Sequence, residues 1–315
     1  MQYRRLGDAG MKVSAISFGG WINWGEGKLA EDEARRIVLR AYESGINFFD
    51  LADIYGRGKA EEQMGMTLRQ FPRHSLVIST KVFWPMSDDI NDRGLSRKHI
   101  YESIHKSLKR LGTDYVDIYF CHRPDPETPL LETARIMHDL VTQGKVLYWG
   151  TSEWSGAQLR ELHAICEKHN FVKPQTEQPQ YSMLVRDVVE NDVLPVAQDK
   201  GMGLVVWSPL AQGMLTGKYD EGVPTEGSRF SRETWLKDRY FTEKNVQFVK
   251  ALKPIADELG ISRGNLALAW CLRHSHVSSV ITGATKVSQL EDNLKAVDVS
   301  LKDDVISAID ALWRA

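Results

Sequence analysis

Eight short strand-like segments, most of them apolar and each four to seven residues long, alternate along the 315 residues with longer segments whose apolar side chains recur every three or four positions. A strand covered on both faces shows no polar alternation, so runs of this kind point to a parallel sheet wrapped by helices. The runs are Ala15 to Gly19, Asn47 to Ala52, Leu76 to Val82, Val116 to His122, Val146 to Thr151, Gln175 to Gln180, Gly203 to Ser208 and Ser279 to Thr282. Eight strand and helix units favour a closed barrel over an open sheet. The predicted fold is therefore α/β: a (β/α)8 TIM barrel occupying residues 1–315 as one domain. A β-hairpin turning over Gly7 to Gly10 should precede it, and an extra C-terminal helix from Lys302 to Trp313 should follow it.

The helical segments carry their own start and stop signals. Ala34, Ile37, Val38 and Ala41 share one face before Gly45, a natural C-terminal stop. Ser96 precedes a segment in which Ile100, Ile104, Leu108 and Leu111 line one side and whose last turn is basic, as a capped helix requires. The stretches Phe83 to Leu95 and Ala211 to Thr242 break the rhythm as loops after the third and seventh strands, on the face where a barrel keeps its chemistry. Ile261 to Ser275 superficially resembles a DNA-reading helix pair, but its apolar Leu266, Ala267, Trp270 and Cys271 fit a barrel helix.

Composition excludes several classes of function. The formal net charge is -2 with 26% charged residues, so no global field favours nucleic acid or an anionic membrane. Cys121, Cys166 and Cys271 have no paired spacing that indicates a disulfide framework or a zinc site. No signal-peptide core or run of about 20 apolar residues is present, so a cytoplasmic protein without membrane insertion is expected. His99, His105, His138, His163 and His169 lie in helical segments and read as surface residues, and no metal site is expected.

Polar groups end the apolar runs. Asp50 lies toward the end of the second and Tyr55 just beyond it, Lys81 nearly ends the third and His122 ends the fourth. Burying such groups without partners is costly, whereas strand ends that open on a common pocket can hold them. A barrel converges all four on one site.

The order of these residues resembles the aldo-keto reductases, and within them the branch containing the voltage-gated potassium channel beta subunits and their bacterial relatives. The resemblance covers almost the whole chain. It rests on Asp50, Tyr55 and Gly56 followed by Ala60 and Glu61, on Lys81 and His122, and on Gly150, Thr151 and Ser152. Further matches are Gln178 with Tyr181 and Ser182, Trp207 through Leu210, and Gly283, Ala284 and Thr285 with Gln289 and Asn293.

The resemblance implies an NADP(H)-dependent reductase that converts aldehydes or ketones to alcohols, without the glycine-rich dinucleotide loop of open-sheet dehydrogenases. Tyr55 is then the general acid. Lys81 is expected to lower the phenol pKa, Asp50 to pair with Lys81, and His122 to hydrogen-bond the carbonyl oxygen. It also assigns Ser152 and Gln178 to the nicotinamide carboxamide, and Trp207, Ser208, Pro209, Leu210, Gln212 and Gly213 to the nicotinamide and pyrophosphate. Lys218, Arg229, Gly283, Thr285, Lys286, Gln289 and Asn293 fall to the phosphates and adenosine, with Trp21 and Asp50 completing the cofactor set and Tyr181 able to stack on the nicotinamide.

Better-known reductases carry lysine where Gly283 lies and arginine where Gln289 lies; Arg229 and Lys286 are the candidates to replace that charge. Trp21, Trp24, Tyr55, Trp84 and Trp154 fall near strand ends as candidate walls of an aromatic substrate pocket, with Trp21 and Trp84 favoured beside Tyr55 and His122. The alternative reading is a nucleotide-binding regulatory subunit with slow turnover. The channel beta subunits carry asparagine where this chain has His122, which favours the enzyme. The same branch implies a homo-oligomer, tetramer or octamer.

Overall fold

The computed structural model describes residues 1–21, 29–224 and 226–314. Strands β1 (Tyr3–Arg5) and β2 (Lys12–Ser14) form an antiparallel hairpin with Tyr3 opposite Ser14. The following strands are β3 (Ile16–Gly19), β4 (Phe48–Asp50), β5 (Val77–Val82) and β6 (Val116–Cys121). They continue with β7 (Val146–Thr151), β8 (Thr176–Glu177), β9 (Gly203–Val206) and β10 (Val277–Thr282). These eight are parallel and close into a barrel in which β10 returns to β3.

Helices α1 (Glu31–Glu43), α2 (Lys59–Leu68) and α3 (Arg97–Leu111) cross outside the barrel after β3, β4 and β5. Helices α4 (Leu130–Thr142), α5 (Gly156–His169) and α6 (Leu194–Lys200) do the same after β6, β7 and β8. Four helices separate β9 from β10: α7 (Arg229–Arg232), α8 (Thr234–Tyr240), α9 (Glu243–Glu258) and α10 (Arg263–Leu272). Helices α11 (Val287–Leu294) and α12 (Asp303–Arg314) complete the chain. The last is the expected appendage; it packs on α9 through Trp313 and Phe248, and its Asp310 pairs with Arg186 at 2.7 Å.

Two apolar layers hold this arrangement. The larger lies between strands and helices and includes Ile37, Ile100, Ile104, Met137, Leu159 and Leu266. The smaller fills the barrel itself with Phe48, Val77, Ile118, Phe120 and Val205, and the hairpin contributes Leu6, Ala9 and Val13 to it. Each such side chain contributes roughly 1.5–3 kcal/mol through burial. Gly7 lets the hairpin approach: at φ 57° it lies so close that a Cβ there would meet the Gly201 carbonyl oxygen at 2.3 Å. The hairpin thus plugs the barrel on the side away from the strand ends that carry Asp50, Lys81 and His122.

Local signals explain the element limits. The Ser96 hydroxyl accepts from the His99 amide at 3.2 Å to cap α3, and Gly112 ends it in the left-handed conformation. Strand β8 is shorter than the predicted Gln175 to Gln180 because Pro179 supplies no N–H; only an isolated bridge from Gln180 to Trp207 continues the pairing. The described residues of 211–242 are not a loop throughout. They include short helices over a stacked pair, Tyr219 and Phe230, whose ring centroids are 4.4 Å apart, with Leu236 and Tyr240 buried nearby. Helix α10 packs on β10, so Ile261 to Ser275 supplies a barrel helix.

The histidine reading needs correction at two positions. His99 and His163 are buried, each 1% exposed, because they occupy the inward faces of α3 and α5. His163 Nε2 lies 3.2 Å from the Met202 sulfur, and burial pushes its pKa down to about 4.

Candidate active site

A cavity of about 1090 Å³ opens at the C-terminal ends of the strands. Its floor is built by charge pairing. Lys81 on β5 is completely buried, yet its ammonium makes three contacts: Asp50 Oδ2 at 2.6 Å, the Leu51 carbonyl at 2.5 Å and the Tyr55 hydroxyl at 3.1 Å. Those contacts use all three donors of the ammonium. Asp50 Oδ1 in turn accepts from Ser79 Oγ at 2.7 Å and from Gln178 Nε2 at 2.9 Å. A buried ion pair is tolerable only when its remaining lone pairs are satisfied in this way.

Burial alone would push the Lys81 pKa down, but Asp50 and then Tyr55 more than offset it, so the ammonium is held above its ordinary value. Tyr55 departs from the sequence expectation. Desolvation raises its pKa, and the opposing pull of Lys81 reduces that rise without reversing it. His122 is pushed well below its ordinary value by burial, with Lys81 and Arg123 acting in the same direction, so it is neutral at pH 7. Its Nδ1 is buried without a hydrogen-bond partner among the described residues. The Tyr55 and His122 rings meet edge to face at 5.9 Å, and the Trp84 ring stands 6.3 Å from that of His122.

Tyr55 is held by an unusual turn. Gly56, Arg57 and Gly58 adopt φ of 56°, 50° and 90°, which places the phenol over the cavity before α2 begins. Gly58 permits the turn twice over: its conformation suits glycine, and a Cβ there would meet Arg110 Cδ at 2.7 Å. Arg110 Nε donates to Glu61 Oε2 at 2.5 Å, and Glu61 Oε1 accepts from Thr80 Oγ1 at 2.5 Å. This buried carboxylate therefore braces α2 and α3 against β5, one residue from Lys81.

The remaining predicted residues mostly gather around the same cavity. Trp21, Ser152, Gln178 and Trp207 line it, as do Ser208, Pro209, Leu210, Gln212 and Gly213. Lys218, Arg229, Gly283, Thr285, Gln289 and Asn293 line it as well. After β9 the backbone is strained, with Ser208, Ala211 and Gln212 at φ 55°, 46° and 59°, followed by Gly213 at 92°. Non-glycine residues in this region are uncommon and cluster at ligand-binding loops. Gln289 Oε1 accepts from the Thr285 amide at 2.8 Å, tying the turn after β10 to α11. Arg229 stacks on Trp21 with its guanidinium carbon 4.6 Å from the ring centroid, and its buried Nε has no hydrogen-bond partner among the described residues.

Three expected residues are placed elsewhere. Lys286 does not line the cavity and occupies the N-cap position of α11. Trp154 is 1% exposed and packs in the core between strands and helices. Tyr181 is fully buried against Trp270; its hydroxyl donates to Glu190 Oε1 at 2.7 Å and accepts from Arg273 at 2.9 Å, so it cannot stack over the cavity. Trp24 lies outside the described residues.

Sequence reasoning missed Ile54, Arg123, Arg232, Trp235 and Arg239, which all line the cavity. Arg123 directly follows His122, and the last three belong to the 211–242 segment already marked as a rhythm break, so position was the available signal. Among the described residues no group of acidic, histidine or cysteine side chains is arranged to hold a metal ion. No described helix is long and apolar enough to cross a membrane.

The arrangement couples a buried cation to a cavity-facing phenol at the mouth of a barrel. The aldo/keto reductase family model matches residues 15–314. The chain belongs to the aldo/keto reductase family. A "Probable voltage-gated potassium channel subunit beta" of Arabidopsis thaliana is 48% identical over 303 residues, covering 95% of this chain and 92% of that one. The similarly named protein of Oryza sativa subsp. japonica is 45% identical and covers 100% of this chain and 97% of its own. A "Putative voltage-gated potassium channel subunit beta" of Schizosaccharomyces pombe is 42% identical, with 98% and 92% covered. Membership of the aldo/keto reductases supports a general oxidoreductase function for this barrel.

Proposed function

We propose that the protein is an NADP(H)-dependent reductase of aldehydes and ketones, with Tyr55 as the proton donor. The observation that carries this reading is the chain of contacts from Asp50 through buried Lys81 to the Tyr55 hydroxyl, which ends at the cavity. NADP(H) fits the residues present. The cavity has room for a dinucleotide, Lys218, Arg229 and Arg232 bring positive charge to it, and the buried Arg229 Nε has a donor to give. The nicotinamide end would lie toward Ser152 and Gln178, and the phosphates along Ser208 to Gly213, Lys218 and Arg229.

The bound cofactor supplies the hydride that forms the new C–H bond. Negative charge then grows on the carbonyl oxygen, and Tyr55 delivers its hydroxyl proton there. Lys81 stabilises the resulting phenolate at 3.1 Å, while Asp50 keeps the ammonium charged and directed. His122, being neutral, offers an N–H to the same oxygen without placing a second cation beside Lys81. Trp21 and Trp84 wall the substrate end, about a third exposed at 38% and 37%.

A second reading draws on the names of the relatives, that of a nucleotide-binding regulatory subunit with slow turnover. Following the consumption of NADPH and NADH with small aliphatic and aromatic aldehydes separates the two. Turnover preferring NADPH supports the reductase. Tight NADPH binding with no turnover of any carbonyl would favour the regulatory subunit.

A further inference from the structure

Arg123 has no place in the chemistry described so far, although it lines the cavity next to His122. Its Nη1 donates to the His122 carbonyl and to Ser152 Oγ, the latter at 3.4 Å. Among the described residues Nε and Nη2 make no hydrogen bond, and no carboxylate pairs with the guanidinium. The group sits 5.6 Å from the Trp84 ring centroid, within the aromatic wall of the substrate end. The other cavity cations that are free of Asp50, namely Lys218, Arg229, Arg232 and Arg239, belong to the segment after β9.

The acidic side chains of the cavity do not balance it. Asp50 and Asp292 are the carboxylates among the described lining residues. Asp50 is committed to Lys81, and Asp292 lies on α11, beyond β10, where it pairs with Lys295 at 3.2 Å. A half-buried guanidinium with a vacant donor edge is the side chain best matched to a carboxylate, which it can grip with two parallel hydrogen bonds.

We propose that Arg123 is a specificity-determining residue that recognises a carboxylate on the substrate, so that the preferred substrates are short oxo acids whose carboxylate lies a few bonds from the reacting carbonyl. This deepens the reductase reading and rests on it. The hydride adds to the carbonyl carbon, the Tyr55 proton goes to its oxygen, and the cofactor leaves oxidised; the product is a hydroxy acid whose carboxylate is unchanged. The short spacing follows from Arg123 being folded against His122 and Ser152, both at the reacting end of the cavity.

The test compares succinic semialdehyde with its methyl ester, a neutral analogue of similar shape, using NADPH and the intact protein. A charge-assisted hydrogen bond contributes about 1.5–3 kcal/mol, so the wild type should favour the acid by about 10- to 100-fold in kcat/KM. Arg123→Met should collapse that ratio toward one, chiefly through the KM of the acid, and Arg123→Lys should retain part of it. The ratio is the readout because any general effect of the charge on Tyr55 or His122 applies to both substrates.

Equal turnover of acid and ester by the wild type overturns the proposal without any variant. An unchanged ratio in Arg123→Met, or a loss of NADPH affinity equal to the loss of rate, overturns it as well. Reduction of neutral aldehydes without preference for the acid sinks this inference alone, whereas no reduction of any carbonyl sinks the reductase reading beneath it.

Discussion

Replacing Tyr55 with phenylalanine tests the proposed proton-transfer role, because the structure shows what the hydroxyl contacts. The hydroxyl contacts Lys81 Nζ at 3.1 Å, and without it the ammonium keeps Asp50 Oδ2 at 2.6 Å and the Leu51 carbonyl at 2.5 Å. No charge is orphaned and no cavity opens, so the expected stability loss is that of one hydrogen bond, about 1 kcal/mol. The ring stays in edge contact with His122, and none of the residues proposed for the phosphates is disturbed. General acid catalysis contributes roughly 10²–10⁴-fold, equivalent to about 3–5 kcal/mol of barrier. Tyr55→Phe should therefore lose that much in kcat with an aldehyde, followed by NADPH absorbance. NADPH affinity by fluorescence titration and the melting temperature should barely move. A variant that turned over at the wild-type rate would refute the assignment. Rate and NADPH affinity falling together would show instead that Tyr55 supports binding.

Lys81→Met should abolish turnover and also destabilise the protein by about 3–5 kcal/mol, because Asp50 would remain as a buried carboxylate without a counterion. Adding Asp50→Asn should recover melting temperature without recovering activity; a double variant no more stable than the single one would contradict the pairing. Arg229→Met should raise the KM for NADPH by about 10-fold or more while changing that for NADH little, since a phosphate contact is worth about 1.5–3 kcal/mol. Equal effects on both cofactors would remove Arg229 from 2′-phosphate recognition.

Glu177 should make stability pH-dependent. Burial raises its pKa to about 8, against the bonds from Thr151 and the Trp154 amide that lower it. Its folded pKa exceeds the unfolded one, so the folded state holds the proton more tightly: its contribution is fully present at low pH and is lost as pH rises toward 8. The window carries on the order of 5 kcal/mol. Glu177→Gln should flatten the fall in melting temperature between pH 5 and 8, and an unaltered slope would show that other groups set it.

The barrel could be read from the chain because most barrel strands are short and largely apolar and alternate with amphipathic helical segments, a pattern that depends on local sequence alone. The errors arose where neighbours decide. His99 and His163 were read by residue type, although their helical register places them on inward faces. Proximity to a strand end suggests a pocket place for Trp154, and the family resemblance one beside the nicotinamide for Tyr181, but a strand end has two sides. Tyr181 turns toward α10, where Arg273 and Glu190 satisfy its hydroxyl, and nothing in the surrounding sequence announces those distant partners. Short β8 is the opposite case, since Pro179 was visible and its missing donor could have been used.

The direction of the Tyr55 pKa carries the deeper lesson, because partner charge and desolvation compete and only the first is visible in a residue list. Lys81 beside a phenol suggests an acidic tyrosine, yet the same enclosure that buries Lys81 completely also strips water from Tyr55. The balance leaves the phenol protonated at neutral pH, which is the form a proton donor needs before the carbonyl arrives. In the proposed mechanism Lys81 matters most after transfer, when it would face a phenolate at 3.1 Å in a site with little water to screen the attraction. Lys81 is accordingly attracted more strongly to the phenolate than to the neutral phenol, which offsets part of the desolvation that raises the Tyr55 pKa, and in the proposed mechanism that differential lowers the barrier.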